Sequence, residues 1–179
     1  MKATSWLYIC ILLFSLSTAF AQTRKINYAK STVSFVIKNA GLKVDGSFQT
    51  FAVDLAFDSQ NLSSTKIDAV IKTASINTGI DGRDKHLKKE EFFNATQFPN
   101  IQFKVTSIKL LSNSSYMLQG KLTVKDVTKE ISLPLKISKV GQEETFESNI
   151  TLNRLDYHVG EDSWVMSDDV NVILKIVTQ

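Results

Sequence analysis

The chain has 179 residues, a formal net charge of +3 and a single cysteine, Cys10. Its basic and acidic residues are interspersed, which argues against nucleic acid as a partner and against a polybasic membrane anchor. Its only histidines are His86 and His158, too few for a closed zinc site, so we expect no metal and no other cofactor.

The first element is an N-terminal signal peptide, predicted over residues 1–21. Lys2 precedes an apolar run over residues 7–16, and AFA at residues 19–21 is an A-x-A cleavage site. That run is shorter than the roughly 20 residues that a membrane-spanning helix needs, and no later apolar run reaches that length. We therefore predict an exported protein, cleaved after Ala21, that is not an integral membrane protein and folds as one domain over residues 22–179.

The remaining chain alternates apolar and polar residues with the period of half-buried strands. About eight such runs occur, at residues 31–38, 43–58, 65–76, 101–106, 116–125, 131–137, 146–152 and 170–176. Most connections between them are short, and short connections join antiparallel neighbours. Strands of this number and length favour an all-β fold, an eight-stranded antiparallel barrel, over a two-sheet sandwich.

One face of these runs is apolar and is predicted to point into the barrel. The predicted interior residues are Val33, Phe35, Ile37, Phe51, Val53, Leu55, Ile71, Phe103, Val105, Leu118, Gly120, Leu122, Leu133, Leu135, Ile150 and Leu152. Small residues, among them Ala69, Gly120 and Ser148, also face inward, and they either leave a cavity or offset the bulky phenylalanines. Gly120 in particular is predicted to leave a groove along the wall.

A charged segment interrupts the alternation between the third and fourth strands. We predict a short helical insertion around residues 82–95 that caps one mouth of the barrel, with Phe92 and Phe93 turned toward the interior. Arg83 and His86 then lie at the rim, where a cation suits the charged head group of an amphiphile.

Two other interpretations of this segment remain open. Arg83 and Asp84 can tie the crossover to the barrel, which is a purely structural role. Asp84 and His86, two positions apart, can form an acid/base pair. No obvious nucleophile accompanies them, and such neighbours often make only a local hydrogen bond, so we predict that the protein is not an enzyme.

A series of short motifs extends through nearly all of the chain after residue 21. They read STVSF (31–35), VDGSF (44–48), ASINTG (74–79), RDKHL (83–87), FF (92–93), FPNIQF (98–103), GKLTV (120–124), VTK (127–129) and NRLDY (153–157). With these motifs the sequence resembles the bacterial YceI-like family of lipocalin-like, polyisoprenoid-binding proteins of the periplasm. It departs from the family pattern at Asp126, where the family has a turn glycine, and around residues 157–162.

The resemblance implies an extended eight-stranded barrel with a small helical insertion, a periplasmic location, and an apolar cavity for an isoprenoid or another long amphipathic lipid. The interior residues then line the ligand site, and Arg83, His86, Phe92 and Phe93 are mouth or head-group candidates. Two alternatives stay open. One is a barrel without ligand that acts as an envelope structural or interaction protein, pairing with itself as a homodimer or with an envelope partner. The other is a hydrolase or isomerase that acts on a hydrophobic substrate through Asp84 and His86.

Overall fold

The computed structural model describes residues 23–179, and the predicted signal peptide lies outside the described residues. These residues form ten strands and one α-helix, and every strand pair is antiparallel. The strands are β1 (Thr32–Asn39), β2 (Leu42–Phe48), β3 (Phe51–Ala56), β4 (Lys66–Lys72), β5 (Ile76–Asn77), β6 (Asn100–Ser112), β7 (Ser115–Val124), β8 (Val127–Val140), β9 (Glu143–Asn153) and β10 (Met166–Val177), and the helix is α1 (Asp81–Leu87). Short 3-10 turns occupy Leu62–Ser64, Thr73–Ser75 and Leu155–Tyr157. Within residues 23–179, no helix is long and apolar enough to cross a membrane.

The strands form one curled sheet in the order β3-β4-β6-β7-β8-β9-β10-β1-β2-β5. Only Gln49 and Thr50 separate β2 from β3, and the turn Thr73–Ser75 separates β4 from β5, so each pair is one long strand with a bend. Because β3 pairs with β4 and β2 pairs with β5, these two bent strands run side by side and close the sheet. Counted in this way, the antiparallel barrel has the eight strands that the alternation predicts.

Residues 23–27 complete the wall at one end of the barrel, here called the lower end. The Arg24 N–H donates to the Leu55 carbonyl at 2.7 Å, and the Asn27 N–H donates to the Val177 carbonyl at 2.8 Å. These bonds connect β3 to the end of β10 through the N-terminal segment, so the lower end has no open seam at this point.

A packed apolar core fills the lower end. The ring of Phe57 meets Tyr116 and Phe146 edge-on, with ring centroids 5.3 and 5.7 Å apart. Leu55 and Leu118 are almost fully buried beside them. Burial of each such leucine contributes about 1.5–3 kcal/mol, so this cluster stabilises the barrel and also closes its lower end.

The helical insertion is confirmed, but it is shorter than predicted. α1 ends at Leu87, and turns follow it to residue 97. Leu87, Phe92 and Phe93 all line the barrel interior, and side chains five or six residues apart do not share one face of a helix. Asn94 also adopts a left-handed conformation, with φ of 44°. The chain therefore leaves the helix in order to turn both phenylalanines inward.

β8 and β9 separate above Pro134. Residues 136–140 pair with residues 143–147, and within the described chain the ladder between the two strands does not extend above this point. Proline has no N–H and so cannot donate a hydrogen bond to a neighbouring strand. The Pro134 carbonyl accepts a hydrogen bond from the Ser148 hydroxyl of β9 at 2.6 Å. The segment after β9 packs against β8 in this region, where Lys129 forms an ion pair with Asp156.

Candidate functional site

An elongated cavity of about 290 Å³ runs up the barrel from the closed lower end. Its volume lies close to the lower limit of the range typical of small-molecule sites, about 300–1,000 Å³. All ten strands and α1 contribute to its wall, which is almost entirely apolar. Such a wall binds an apolar chain by burial and offers few hydrogen-bonding groups along its length.

Most residues predicted to face the interior lie on this wall. They are Val33, Phe35, Ile37, Phe51, Val53, Leu55, Ile71, Phe103, Leu118, Leu122, Leu133, Leu135, Ile150 and Leu152. Phe92 and Phe93 join them from the insertion. Val105 does not line the cavity and packs against the lower core instead. Contact of these residues with a ligand remains a prediction.

The predicted groove at Gly120 is wrong, because the ring of Phe103 occupies it. A Cβ atom added to Gly120 would lie 2.6 Å from two ring atoms of Phe103 and 2.8 Å from the backbone oxygen of Lys104. Gly46 lies in the same way under the ring of Phe35. Both glycines make room for a phenylalanine, and it is the rings that line the cavity.

Several polar residues line the other end of the cavity, beside the β1–β2 turn. We call this opening the mouth and define it by Asn39, Thr78, Arg83, Asn153 and Met166, which all line the cavity. Three of these residues stand at the ends of β1, β9 and β10, so the mouth lies at the end opposite the packed core. Arg83 therefore lies at this end of the cavity, and its contact with a head group stays a prediction.

Arg83 and Asp84 both hold Thr78. The Arg83 Nε donates to Thr78 Oγ1 at 2.7 Å, and Nη2 donates to the Thr78 carbonyl at 2.8 Å. The Asp84 carboxylate accepts from the Thr78 N–H at 2.8 Å and from its hydroxyl at 2.6 Å. These contacts tie α1 to the end of β5, in agreement with the structural interpretation. Nη1 of Arg83 makes no hydrogen bond to residues 23–179, so this nitrogen is available at the mouth.

His86 does not line the cavity, contrary to its predicted place at the rim. Arg83 and Leu87 occupy the inward face of α1, and His86 points about 100° away from Leu87 around the helix axis. Its half-exposed side chain packs on Phe92, with ring centroids 4.9 Å apart, and its Nδ1 lies 3.5 Å from Glu91 Oε1. His86 is therefore a residue of the outer surface of the cap.

A buried arginine, Arg154, lies on the cavity wall and was not among the predicted site residues. Its Nε donates to the Ser167 carbonyl at 3.0 Å, its Nη1 to the Val159 carbonyl at 3.0 Å, and its Nη2 to Asp168 Oδ1 at 2.9 Å. The NRLDY motif contains this residue, but a cation next to the end of a strand has the sequence pattern of a surface charge. Its partners come from two later segments, which only the fold brings together.

The end of the barrel opposite the lower end is here called the upper end. Two segments, residues 81–98 and 154–160, cover the part of the upper end that the mouth leaves, and they bind each other. The Gly160 N–H donates to the Glu91 carbonyl at 2.9 Å. Lys125, in the β7–β8 turn, donates from Nζ to the His158 carbonyl at 2.6 Å. These contacts form a cap near the β7–β8 turn, whereas the mouth lies beside the β1–β2 turn.

The positions that depart from the family pattern belong to this cap. In the β7–β8 turn the left-handed residue is Lys125, with φ of 54°, and not Asp126. Tyr157 and Val159 are buried in the cavity wall. Burial, with a smaller effect of the Asp156 charge, raises the pKa of the Tyr157 phenol. A tyrosine is already protonated at neutral pH at its ordinary pKa, so Tyr157 adds no charge to the wall.

Three comparisons with known proteins agree with this architecture. The YceI-like domain model matches residues 25–178. A UPF0312 protein of Yersinia enterocolitica is 31% identical over 98% of this chain and 95% of its own length. The crystal structure of Burkholderia cenocepacia BcnA has the same fold, with a TM-score of 0.83 at 24% identity over 87% of this chain and 100% of that one. A polyisoprenoid-binding domain from Saccharophagus degradans also shares the fold, with a TM-score of 0.70 at 15% identity over 90% of this chain and 99% of that domain.

Proposed function

The protein belongs to the YceI-like family, and we propose that it is an exported, periplasmic carrier that holds an isoprenoid or a similar long-chain amphipathic lipid in its barrel. The cavity is the observation that carries this proposal, because it is long and apolar, meets the packed core at the lower end, and has Arg83 and Asn153 among the residues at its mouth. A tail inserted through the mouth gains about 0.8 kcal/mol for each CH₂ group that it buries. The head group then remains near Arg83 and in contact with water.

Two further observations support the ligand class and the location. The domain from Saccharophagus degradans, which has the same fold, is a polyisoprenoid-binding domain. For this chain the proposal rests on the chemistry of the wall, which matches an unbranched or methyl-branched hydrocarbon equally well. Export is supported by the predicted signal peptide, whose cleavage after Ala21 can be checked by N-terminal sequencing.

The amount and identity of any lipid bound to the purified protein test this function. Protein taken from the cell envelope, without a delipidation step, is expected to carry one hydrophobic molecule per chain. Native mass spectrometry gives the stoichiometry, and lipid extraction followed by mass analysis gives the compound. A barrel that is consistently empty after this procedure would contradict the carrier function.

Ala69→Phe is expected to remove most of this ligand while the barrel stays folded. Ala69 lies on the cavity wall between Val53 and Phe103 of the neighbouring strands, so an added ring projects into the space for the tail. Ala52→Phe is the matched control, because Ala52 lies on β3 and faces solvent. The control should keep both its ligand and its melting temperature. Equal ligand content in the two variants would show that the tail does not lie beside Ala69.

We also propose that the protein binds its ligand without covalent chemistry, and His86→Gln tests this. His86 lies outside the cavity wall, and the Asp84 carboxylate is already hydrogen-bonded to Thr78. The variant should therefore carry a ligand of the same mass and in the same amount as the parent protein. His158→Gln, a change at the other exposed histidine, is the control. An altered lipid mass that appears only in the His86 variant would indicate a reaction at this residue.

A further inference from the structure

Exposed apolar side chains gather around the mouth. Trp164 is fully exposed, Leu42 is 72% exposed, and Ile80 and Val165 are also exposed. We call these four residues the mouth patch. Nothing within residues 23–179 covers them. Burying them against a partner would therefore release water from apolar surface, which favours binding.

Backbone contacts place the mouth patch next to the cavity opening. The Ala40 N–H donates to the Val165 carbonyl at 2.6 Å, which joins the β1–β2 turn to the segment that carries Trp164. Asn39, just before Ala40, pairs with Met166, just after Val165. Both Asn39 and Met166 line the cavity. The patch is therefore continuous with the mouth.

Leu42 and Ile80 extend the patch across the mouth. Leu42 is the first residue of β2 and pairs with Asn39. β5 runs antiparallel to β2 and leads toward the mouth. Ile80 lies between β5 and α1, the helix that supplies Arg83 to the mouth. The patch thus borders the mouth on the side of the β1–β2 turn and on the side of α1.

The composition of the patch matches the surface of a lipid bilayer. Tryptophan prefers membrane–water interfaces, because its ring is apolar and its N–H needs a polar partner. The exposed charges beside the patch carry both signs: Lys38, Lys43, Asp81, Glu161 and Asp162. Neither an anionic surface nor a cationic partner is favoured by such a mixture, whereas a zwitterionic bilayer can accept it.

We propose that the mouth patch docks on a zwitterionic phospholipid bilayer, so that the mouth opens against lipid and the ligand tail need not cross water. The purpose of this docking rests on the proposed carrier function, but the docking itself can be measured without a ligand. A bilayer is favoured over a second copy of the chain because the patch borders the opening of an apolar cavity on two sides.

The lower end of the barrel provides a comparison within the same molecule. Leu110, Leu111 and Val140 are exposed there, beside the packed core and far from the mouth. If exposed apolar side chains alone caused membrane binding, substitutions at the two ends would have equal effects. If the mouth is the docking surface, only substitutions at the mouth patch matter.

Vesicle binding of the processed protein tests the proposal. The chain has two tryptophans, and Trp6 lies in the predicted signal peptide, so Trp164 is the only fluorophore of its kind after processing. With phosphatidylcholine vesicles, its emission should shift to the blue, and lipids brominated near the head group should quench it. Because the binding is apolar, co-sedimentation should change little between low and high salt.

Leu42→Gln is expected to lower partitioning into these vesicles by about tenfold, since it removes one leucine from the buried set. The matched control, Leu111→Gln, should bind as the parent protein does. Both residues are exposed, so both variants should keep the parent melting temperature. Trp164→Gln, followed by co-sedimentation, should reproduce the loss seen with Leu42→Gln.

Three results would overturn the docking proposal. They are an absence of quenching in the parent protein, equal losses for Leu42→Gln and Leu111→Gln, and a dimer in light scattering that Leu42→Gln dissociates. The ligand content of each preparation is measured in parallel. Quenching by an empty protein would leave docking intact and contradict the carrier function, whereas a stoichiometric ligand without quenching would contradict docking alone.

Discussion

Asp168→Ala is expected to lower the free energy of unfolding by about 1–3 kcal/mol, the cost typical of leaving a buried polar group without its hydrogen-bond partner. The Arg154 side chain is only 4% exposed, whereas Asp168 is 38% exposed. Removal of the aspartate therefore leaves the deeply buried guanidinium without a counter-charge. The two carbonyls that Arg154 also binds are neutral and cannot replace that charge.

Two further variants separate the causes of this loss. Asp168→Asn retains a hydrogen-bond acceptor and removes the charge, so its destabilisation should lie between those of the parent and the alanine variant. Asp169→Ala is the matched control, because Asp169 is the exposed neighbour on the same strand, and surface changes are usually within about 0.5 kcal/mol. Urea unfolding gives the free energy of unfolding of all three variants. Equal stability of the two alanine variants would mean that the ion pair contributes nothing to the fold.

The barrel could be predicted from the sequence because alternation is a local signal that each strand carries by itself. β7 is the clearest case: Tyr116, Leu118, Leu122 and Val124 are buried at every second position. The bends between β2 and β3 and between β4 and β5 could not be predicted in the same way. Apolar residues continue across both bends, and the bends arise only because the sheet has to close on itself.

The cavity wall was predictable for the same reason, whereas its details depend on neighbours that are distant in sequence. Alternation places Gly120 on the inward side, but it cannot indicate that the Phe103 ring of the next strand lies over it. The same limit applies to Arg154, whose partners are Val159, Ser167 and Asp168. The NRLDY motif contains Arg154, but only the tertiary contacts determine that this residue of the motif is buried.

Gly120→Phe is expected to destabilise the barrel rather than to block the cavity in an intact fold. Overpacking of a core typically costs about 1–3 kcal/mol and occasionally more, and this site should lie at or above the upper limit. The new Cβ would meet the Phe103 ring at 2.6 Å and the Lys104 backbone oxygen at 2.8 Å. A ring can swing aside into the cavity, but a strand carbonyl cannot move without disturbing its ladder.

Phe103→Ala in the Gly120→Phe background tests this explanation directly. Phe103→Ala alone removes a packed ring and is itself destabilising. The test is therefore the coupling energy: removing this ring should cost less stability in the Gly120→Phe background than in the parent protein. Lys121→Phe is the matched control, because residue 121 is exposed on the outer side of the same strand and should accept a ring at little cost. Thermal and urea unfolding give the four values of the double-mutant cycle. A Gly120→Phe protein as stable as the parent, with the ligand lost, would mean that the Phe103 ring yields freely and that the space beside Gly120 belongs to the ligand after all.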